Sequence, residues 1–307
     1  MTDRRRVLVT GASGFIGRHA LEPLLRHDFE VHAVARGLRP PDAPPEVHWH
    51  RADLLSDDAR DTLLAQLAPS HLLHLAWYAE PGRFWTSSEN LRWAAATIAL
   101  VHAFAQHGGR RAVMAGTCAE YRWGDRGPYI EDVSPLEPAT LYGTAKHTTH
   151  KLLRTAAPTL GVQLAWGRIF FLYGPHEAHP RLVASVVRGL LLGERVATGD
   201  GTQIRDLTYV ADVAEAFVAV LDSTLIGAIN VGSGEPTPLR TIIDAIGAAT
   251  NAAHLLDIGA LSRRPDDPHE LVADVTRLRE EVGFTPVTDL REGIERTVAS
   301  WRDDLRR

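Results

Sequence analysis

The stretch "RVLVTGASGFIG", residues 6–17, joins an apolar, β-branched run to a glycine-rich loop. The apolar run predicts a buried strand, and Gly11, Gly14 and Gly17 follow it where a helix should begin. Glycine at these positions lets the backbone turn tightly and approach a pyrophosphate, which then lies at the helix N-terminus. Turns commonly use glycine, so the triplet alone is weak evidence. Its place between a first strand and a helix predicts a dinucleotide site.

Strand and helix patterns alternate after this stretch, which predicts a parallel sheet covered on both faces. We expect an α/β fold: a Rossmann-type, doubly wound parallel sheet with a smaller C-terminal substrate-binding lobe. The predicted helices are 15–27, 57–67, 88–107 and 140–157, and the predicted later strands are 29–36, 46–53, 71–77, 111–116 and 162–171. The predicted domains are 1–168 plus about 206–232 for the dinucleotide, and about 169–205 plus 233–307 for the substrate.

Composition limits the classes of function. A chain of 307 residues with a formal net charge of -5 does not suit general binding to nucleic acid or to a membrane surface. Its single cysteine, Cys118, excludes an internal disulfide framework and suits a reducing compartment. The apolar run near the start ends after "VLV", too short for a secretion signal, so we expect a cytoplasmic protein.

The end of the second predicted strand bears on the choice of cofactor. An acid there binds the adenosine ribose in NAD enzymes, but this chain has Ala35 followed by Arg36. A guanidinium can pair with a 2′-phosphate, so NADP(H) is favoured and NAD(H) is possible. The alternative for Arg36 is a solvated loop residue. Asp53, after the third strand, can reach an adenine or can cap the next helix.

Tyr142 and Lys146 are four residues apart on a predicted helix and therefore share one face. Lys146 and Lys151 are the only lysines among the 33 basic residues, so a lysine here is a specific choice. An ammonium beside a tyrosine is expected to lower the phenol pKa and make it a usable acid or base. Thr117 ends the predicted fifth strand, at the edge where parallel sheets place their ligands.

The chain as a whole resembles the extended short-chain dehydrogenase/reductase family that acts on nucleotide sugars. The motifs are "TGASGFIG", "HLAW", "ENLRWAAAT", "GTCAEY", "YGTAK", "YGP", "GDGTQIRDLTYVADVA", "NVGSGEP" and "RRPDD". The resemblance implies a catalytic triad of Thr117, Tyr142 and Lys146, and a homodimer formed through the helices near 88–107 and 140–157. It implies cofactor contacts from the glycine loop and the strand ends: Gly11, Ser13, Gly14, Phe15, Ile16, Gly17, Arg36, Asp53, Leu54, Leu75, Ala76, Trp77, Asn90 and Lys146.

The same resemblance implies a nucleotide-diphosphate sugar as the substrate. Two arginines suit its diphosphate, because each can chelate phosphate oxygens. The implied substrate residues are Glu120, Tyr121, Phe171, Arg181, Arg205 and Arg264. Two departures from the family pattern matter. Cys118 and Ala119 replace the Asp-Glu pair of the 4,6-dehydratases, and Phe171 replaces an asparagine that contacts the sugar.

The sequence therefore predicts an NADPH-dependent reductase of a nucleotide-activated 4-keto-6-deoxy sugar. The alternative is a nucleotide-sugar 4-epimerase with tightly bound NAD, and a third possibility is a catalytically silent NADP(H)-binding protein. No metal is expected. The histidine pairs His147/His150 and His176/His179 lack an evident third ligand.

Overall fold

The computed structural model describes residues 5–124, 127–263 and 267–306. Its strands are β1 Arg6–Thr10, β2 Glu30–Ala35, β3 His48–Arg51, β4 His71–His74, β5 Arg111–Thr117, β6 Gln163–Ile169, β7 Phe171–Tyr173, β8 Val196–Thr198, β9 Ile204–Arg205, β10 Leu207–Tyr209, β11 Gly227–Val231, β12 Thr237–Pro238, β13 Leu256–Ile258 and β14 Glu270–Leu271. Its helices are α1 Gly17–Arg26, α2 Asp57–Leu67, α3 Glu89–Gln106, α4 Leu141–Leu160, α5 Leu182–Leu191, α6 Val210–Asp222, α7 Leu239–Thr250, α8 Thr276–Glu280 and α9 Leu290–Arg306.

A parallel sheet forms the centre of the larger part of the molecule. Seven strands lie in the order β11-β6-β5-β4-β1-β2-β3, with β1 in the interior and β3 at one edge. The order reverses between β1 and β4, which places the open crevice of a doubly wound sheet beside the loop that follows β1. The predicted Rossmann-type α/β fold is confirmed.

Side-chain alternation along β1 builds a core on each face of this sheet. Val7 and Val9 point into one core, together with residues of α1 and α6. Leu8 points into the other, with residues of α2, α3 and α4. Strands buried on both faces need apolar side chains at every position, which explains the uninterrupted "VLV" run.

A smaller lobe is built on α5, α7 and α9. Its core is formed by the apolar stripes of the three helices, with Val187, Ile246 and Val298 at most 1% exposed. Short strand pairs join this lobe to the sheet, and β7 pairs in parallel with β10. The chain then returns to the large sheet through α6 and β11, which pairs with β6.

Two predicted element ends differ from the structure by three residues, and the other predicted ends differ by at most two. The strand predicted at 71–77 ends at His74, because residues 75–77 leave the sheet to line the crevice. The helix predicted to end at residue 157 continues through Pro158 to Leu160 and ends at Gly161, which has a positive φ of 68°. Among the described residues, no helix is long and apolar enough to cross a membrane.

Candidate active site

The loops after β1 and β4 meet backbone to backbone at the carboxyl edge of the sheet. A Cβ on Gly11, whose φ is +69°, would lie 2.8 Å from the Ala76 nitrogen. A Cβ on Gly17 would lie 2.2 Å from the Gly11 oxygen. The Ala76 amide also donates to Thr10 Oγ1 at 3.2 Å. Glycine at residues 11 and 17 is therefore required by the close approach of the chain to itself.

This loop fits a pyrophosphate. Ser13 and Gly14 are exposed, and Gly14 N–H donates to the Gly11 oxygen at 2.9 Å. The amides of Phe15 and Ile16, just before α1, have no backbone acceptor in the part of the chain that the structure describes. Free amides at the N-terminus of a helix are the donor set that a phosphate anion takes. The residues present thus fit a dinucleotide cofactor.

The adenosine end would lie at the ends of β2 and β3. Arg36 is exposed, and its carbonyl accepts a hydrogen bond from Arg51 Nε at 3.1 Å. Asp53 is exposed too and accepts the Leu55 amide through Oδ1 at 3.1 Å. Ser56, and not Asp53, caps α2. Leu54 is buried beside them.

Trp77 and Asn90 form one hydrogen-bonded unit after β4, beside Leu75 and Ala76. Trp77 Nε1 donates to Asn90 Oδ1 at 2.9 Å. Asn90 Nδ2 donates to the carbonyls of Phe84 and Ser87 at 2.7 and 2.9 Å. Asn90 is fully buried and its amide is occupied, so it positions Trp77 and the loop near residue 84, and its contact with a cofactor stays a prediction.

Lys146 reaches the same crevice from α4. It is 3% exposed, and its Nζ donates to the Ala115 carbonyl at 2.7 Å. The same Nζ lies 3.8 Å from the centroid of the Trp77 ring. Burial lowers the pKa of Lys146 to about 7, and the nearby Glu120 carboxylate raises it. The group therefore changes its charge near neutral pH.

Tyr142 lies one turn before Lys146, near the start of α4. Its ring meets Phe84 and Trp85 edge-on, with centroid distances of 4.8 and 5.8 Å. Burial raises the pKa of Tyr142 above its ordinary value, while a hydrogen bond with Thr117 acts in the opposite direction. Burial, the largest cause, therefore sets the direction of this pKa shift, which is opposite to the direction expected from the spacing of Tyr142 and Lys146. In this state Tyr142 holds its proton.

Thr117 is the last residue of β5, and its side chain is close enough to Tyr142 to lower the pKa of the phenol. Thr117 Oγ1 accepts the Ala119 amide at 3.2 Å. The Thr117 amide donates to Glu120 Oε1 at 2.9 Å, so the threonine is held from two sides. The structure therefore brings Thr117, Tyr142 and Lys146 to one edge of the sheet, next to the glycine loop.

Glu120 and Tyr121 lie beneath this edge. Glu120 is fully buried and accepts Trp166 Nε1 at 2.8 Å and Arg168 Nε at 3.1 Å. The Tyr121 hydroxyl donates to Asn230 Oδ1 at 2.7 Å and accepts Arg168 Nη1 at 3.1 Å. Glu120 therefore supports Thr117, Tyr121 joins the same buried network through Arg168, and the substrate contacts of Glu120 and Tyr121 stay predictions.

Arg168 was not identified by the sequence analysis. It is 1% exposed, on β6, and pairs with Glu120, which lies 48 residues earlier in the chain. A buried guanidinium requires a partner, so an arginine inside the apolar strand "VQLAWGRIFF" is the signal that could have indicated it.

The arginines predicted to contact the substrate are arranged differently from one another. Arg205 is 4% exposed and donates to Asp267 Oδ1 at 2.7 Å, and its guanidinium lies 5.4 Å from the Phe171 ring centroid. Arg181 precedes α5 and is close enough to Tyr142 to lower its pKa. Arg264 lies outside the described residues.

Asp206 is a second residue that sequence reasoning did not identify. Its buried carboxylate accepts the amides of Ser233, Gly234 and Ala273 at 2.8, 2.9 and 3.2 Å. It therefore fixes the loop after β11 and the segment after β14 to one point.

The structure also shows the surroundings of the single cysteine and of the histidine pairs discussed above. Cys118 is buried, and burial raises the pKa of its thiol to about 12, so the thiol stays protonated. His150 is buried and stacks on Trp166 at 5.0 Å, and burial lowers the pKa of His150 to about 3. His176 lies 6.1 Å from His19 between ring centroids.

Comparison with known proteins identifies the family. The model of the NAD dependent epimerase/dehydratase family matches residues 7–232. This is more than half of the chain, which therefore belongs to that family. Membership confirms the resemblance to the enzymes of nucleotide-sugar metabolism.

Three similar proteins span nearly the whole chain. UDP-glucuronic acid decarboxylase 1 of Xenopus tropicalis is 26% identical over 318 residues, covering 99% of this chain and 73% of the relative. UDP-glucose 4-epimerase of Azospirillum brasilense is 28% identical over 342 residues, covering 99% and 95%. The structure of the UDP-glucose 4-epimerase of Thermus thermophilus in complex with NAD is 30% identical with a TM-score of 0.84, covering 97% and 99%.

Proposed function

We propose that this protein is an NAD-dependent 4-epimerase of a nucleotide-diphosphate sugar. The observation that carries the proposal is the convergence of Thr117, Tyr142 and Lys146 beside a phosphate-binding glycine loop. The similarity to a UDP-glucose 4-epimerase whose structure contains NAD favours this reading over the reduction of a 4-keto sugar.

The triad has a role for each residue. Tyr142 would take the proton of the sugar C4 hydroxyl as a phenolate, a form that the ammonium of Lys146 one turn away favours, and would later return that proton as a general acid. Thr117, held at Oγ1 and at its amide, hydrogen-bonds the same sugar oxygen. Lys146 orients the cofactor ribose through the ammonium protons that Ala115 does not take. Bound NAD supplies the hydride chemistry at C4.

The residues after Thr117 argue against elimination of water. Cys118 is a buried, protonated thiol, and Ala119 has no polar side chain. Glu120 is a carboxylate, but it is fully buried and occupied by Trp166 and Arg168. No acid–base pair next to Thr117 is therefore free for a dehydratase reaction in the described part of this loop.

A second candidate is the NADPH-dependent reductase of a nucleotide-activated 4-keto-6-deoxy sugar. The observation that favours it is Ala35, where a carboxylate would bind the ribose, followed by the exposed Arg36. An exposed guanidinium at this point can pair with a 2′-phosphate.

The cofactor content of the freshly purified protein distinguishes the two candidates. The epimerase predicts stoichiometric NAD that exchanges slowly, and conversion of UDP-glucose to its C4 epimer without added cofactor, followed by NMR. An empty site that prefers NADPH over NADH would contradict the epimerase and support the reductase. Release of carbon dioxide from UDP-glucuronic acid would contradict both candidates and show that the protein is a decarboxylase.

A further inference from the structure

Four ligand-type side chains share one face at the edge of the large sheet. Glu30 and His32 are two residues apart on β2, and His48 and His50 are two residues apart on β3. Side chains of a strand alternate between faces, so each pair points to a single side. The register aligns His32 with His48, which brings both pairs to the same face.

The four groups are in direct contact. His32 Nε2 lies 2.9 Å from Glu30 Oε1, and His32 Nδ1 lies 2.9 Å from His50 Nε2. The His32 ring stacks on His48 at 4.8 Å and on His50 at 5.1 Å between centroids. One donor atom each from Glu30, His32 and His48 lies within 4.8 Å of the others. Imidazole lone pairs lie in the ring plane, so convergence of these three donors on one ion requires the stacked His48 ring to rotate toward Glu30 and His32.

The Glu30 carboxylate of this cluster also faces a cation of the protein itself. Arg6 Nε lies 3.1 Å from Glu30 Oε1 and is the cation that a metal ion would have to compete with.

We propose that Glu30, His32 and His48 form a binding site for a late first-row divalent transition metal ion, of which Zn²⁺ is the type. Imidazole nitrogens and a carboxylate oxygen are the ligands that such ions take in three-ligand sites. His50 is then the outer partner that fixes the ring of His32, as metal-bound histidines require.

Starting from two neutral rings, metal binding requires an exchange of tautomers in the His32–His50 pair, besides the rotation of His48. The proton that His32 Nε2 shares with Glu30 is replaced by the ion, and His32 carries its proton on Nδ1 instead. That Nδ1–H donates to His50 Nε2, and His50 carries its own proton on Nδ1. Both rings stay neutral and no proton is lost.

The pairing of two strands supplies what the sequence analysis did not find. The sequence spacing drew attention to histidine pairs on predicted helices and turns. The three ligands proposed here come instead from positions 30, 32 and 48 on two adjacent strands. An ion held by residues of β2 and β3 would link the edge strand to the rest of the sheet. The site lies toward the start of β2, away from Arg36 at its other end.

The test is a titration of tag-free, chelator-treated protein with Co²⁺, read by visible absorption, and with Zn²⁺ as the competitor. One equivalent of Co²⁺ should give the spectrum of a four- or five-coordinate ion. His48→Ala should weaken binding at least about 100-fold, and His50→Ala by roughly 10–100-fold, as expected for an outer partner. His102→Ala removes an equally exposed histidine on α3 and should change nothing.

A second readout checks that the variants are folded. Zn²⁺ should raise the Tm of the parent protein and of His102→Ala, but not that of His48→Ala, while all three share one Tm without metal. Binding unaffected by both His48→Ala and Glu30→Gln, absence of saturable binding, or several weak equivalents would overturn the proposal.

Discussion

The reacting edge of the sheet and the buried polar layer beneath it meet at Thr117, yet they are built differently. At the edge, Tyr142 and Lys146 share one helix and lie four residues apart. Beneath it, Glu120 and Arg168 come from distant segments and are at most 1% exposed. The edge supplies the groups that can exchange protons. The layer below holds the Thr117 amide in place.

This difference predicts whether substitutions in each region change turnover or stability. Side chains at the edge can still form hydrogen bonds with a ligand, so substituting them should affect turnover. Groups below have their hydrogen bonds filled by the protein, so their loss should affect stability first.

The largest effect is expected at the edge. Tyr142→Phe removes the proton donor and should lower kcat by about 10²–10⁴-fold, the range of general acid–base catalysis. Cofactor binding and Tm should stay close to the parent values. Tyr209→Phe removes the same hydroxyl from a tyrosine in the smaller lobe and serves as the control. A Tyr142→Phe enzyme that retains its rate would place the proton transfer elsewhere.

The next effect is expected in the layer beneath. Arg168→Met leaves the Glu120 carboxylate buried without its cation and should lower the free energy of unfolding by about 3–5 kcal/mol. Urea denaturation measures this loss. Arg92→Met breaks an exposed pair with Glu89 and should cost less than about 1 kcal/mol. A loss for Arg168→Met no larger than that of Arg92→Met would mean that the layer does not support Thr117.

A smaller loss of stability is expected at Asp206. Its carboxylate is buried like that of Glu120, but it accepts hydrogen bonds only from neutral donors. Asp206→Asn turns acceptors into donors facing amides and should lower the free energy of unfolding by about 1–3 kcal/mol. Asp244→Asn, an exposed carboxylate paired with Arg240, is the matched control. Equal stability of the two variants in urea would show that the loops after β11 and β14 are held by other contacts.

The effect that is smallest per step concerns the pH dependence of stability, which is spread over several pH units. The pKa of Lys146 is lowered to about 7 by burial, from 10.5. Between these values the folded chain holds fewer protons than the unfolded chain, so stability rises with pH. The slope is at most about 1.4 kcal/mol per pH unit.

Lys146→Met should remove this slope from denaturation curves of cofactor-free protein between pH 7 and 10. Lys151→Met, the exposed lysine of the same helix, should retain it. If the parent protein and both variants showed the same slope, the pH dependence would arise from groups other than Lys146.

The sequence predicted what depends on short spacing. A glycine loop after a strand, a lysine one turn after a tyrosine, and a threonine at a strand end all lie within a few residues of their partners. Glu120, Asn90 and Arg205 were assigned to ligands because their motifs suggested it. In the structure they pair with Arg168, Trp77 and Asp267, respectively. These partners lie 13 to 62 residues away in the chain, so no local pattern contains the pairs.

The direction of the Tyr142 pKa was also wrong from sequence. The spacing to Lys146 was correct, but the aromatic side chains that bury the phenol come from the loop after β4. Burial is the largest influence on the pKa of Tyr142, and burial depends on the tertiary fold.

Strand β3 has a consequence for the solubility of the protein. It is four residues long and forms one edge of the sheet, where unpaired backbone groups could template an incoming strand. His48 and Arg51 are exposed at its two ends, and an approaching chain would have to desolvate them. A short strand with hydrophilic ends is a poor template for fibril growth, so this edge resists aggregation.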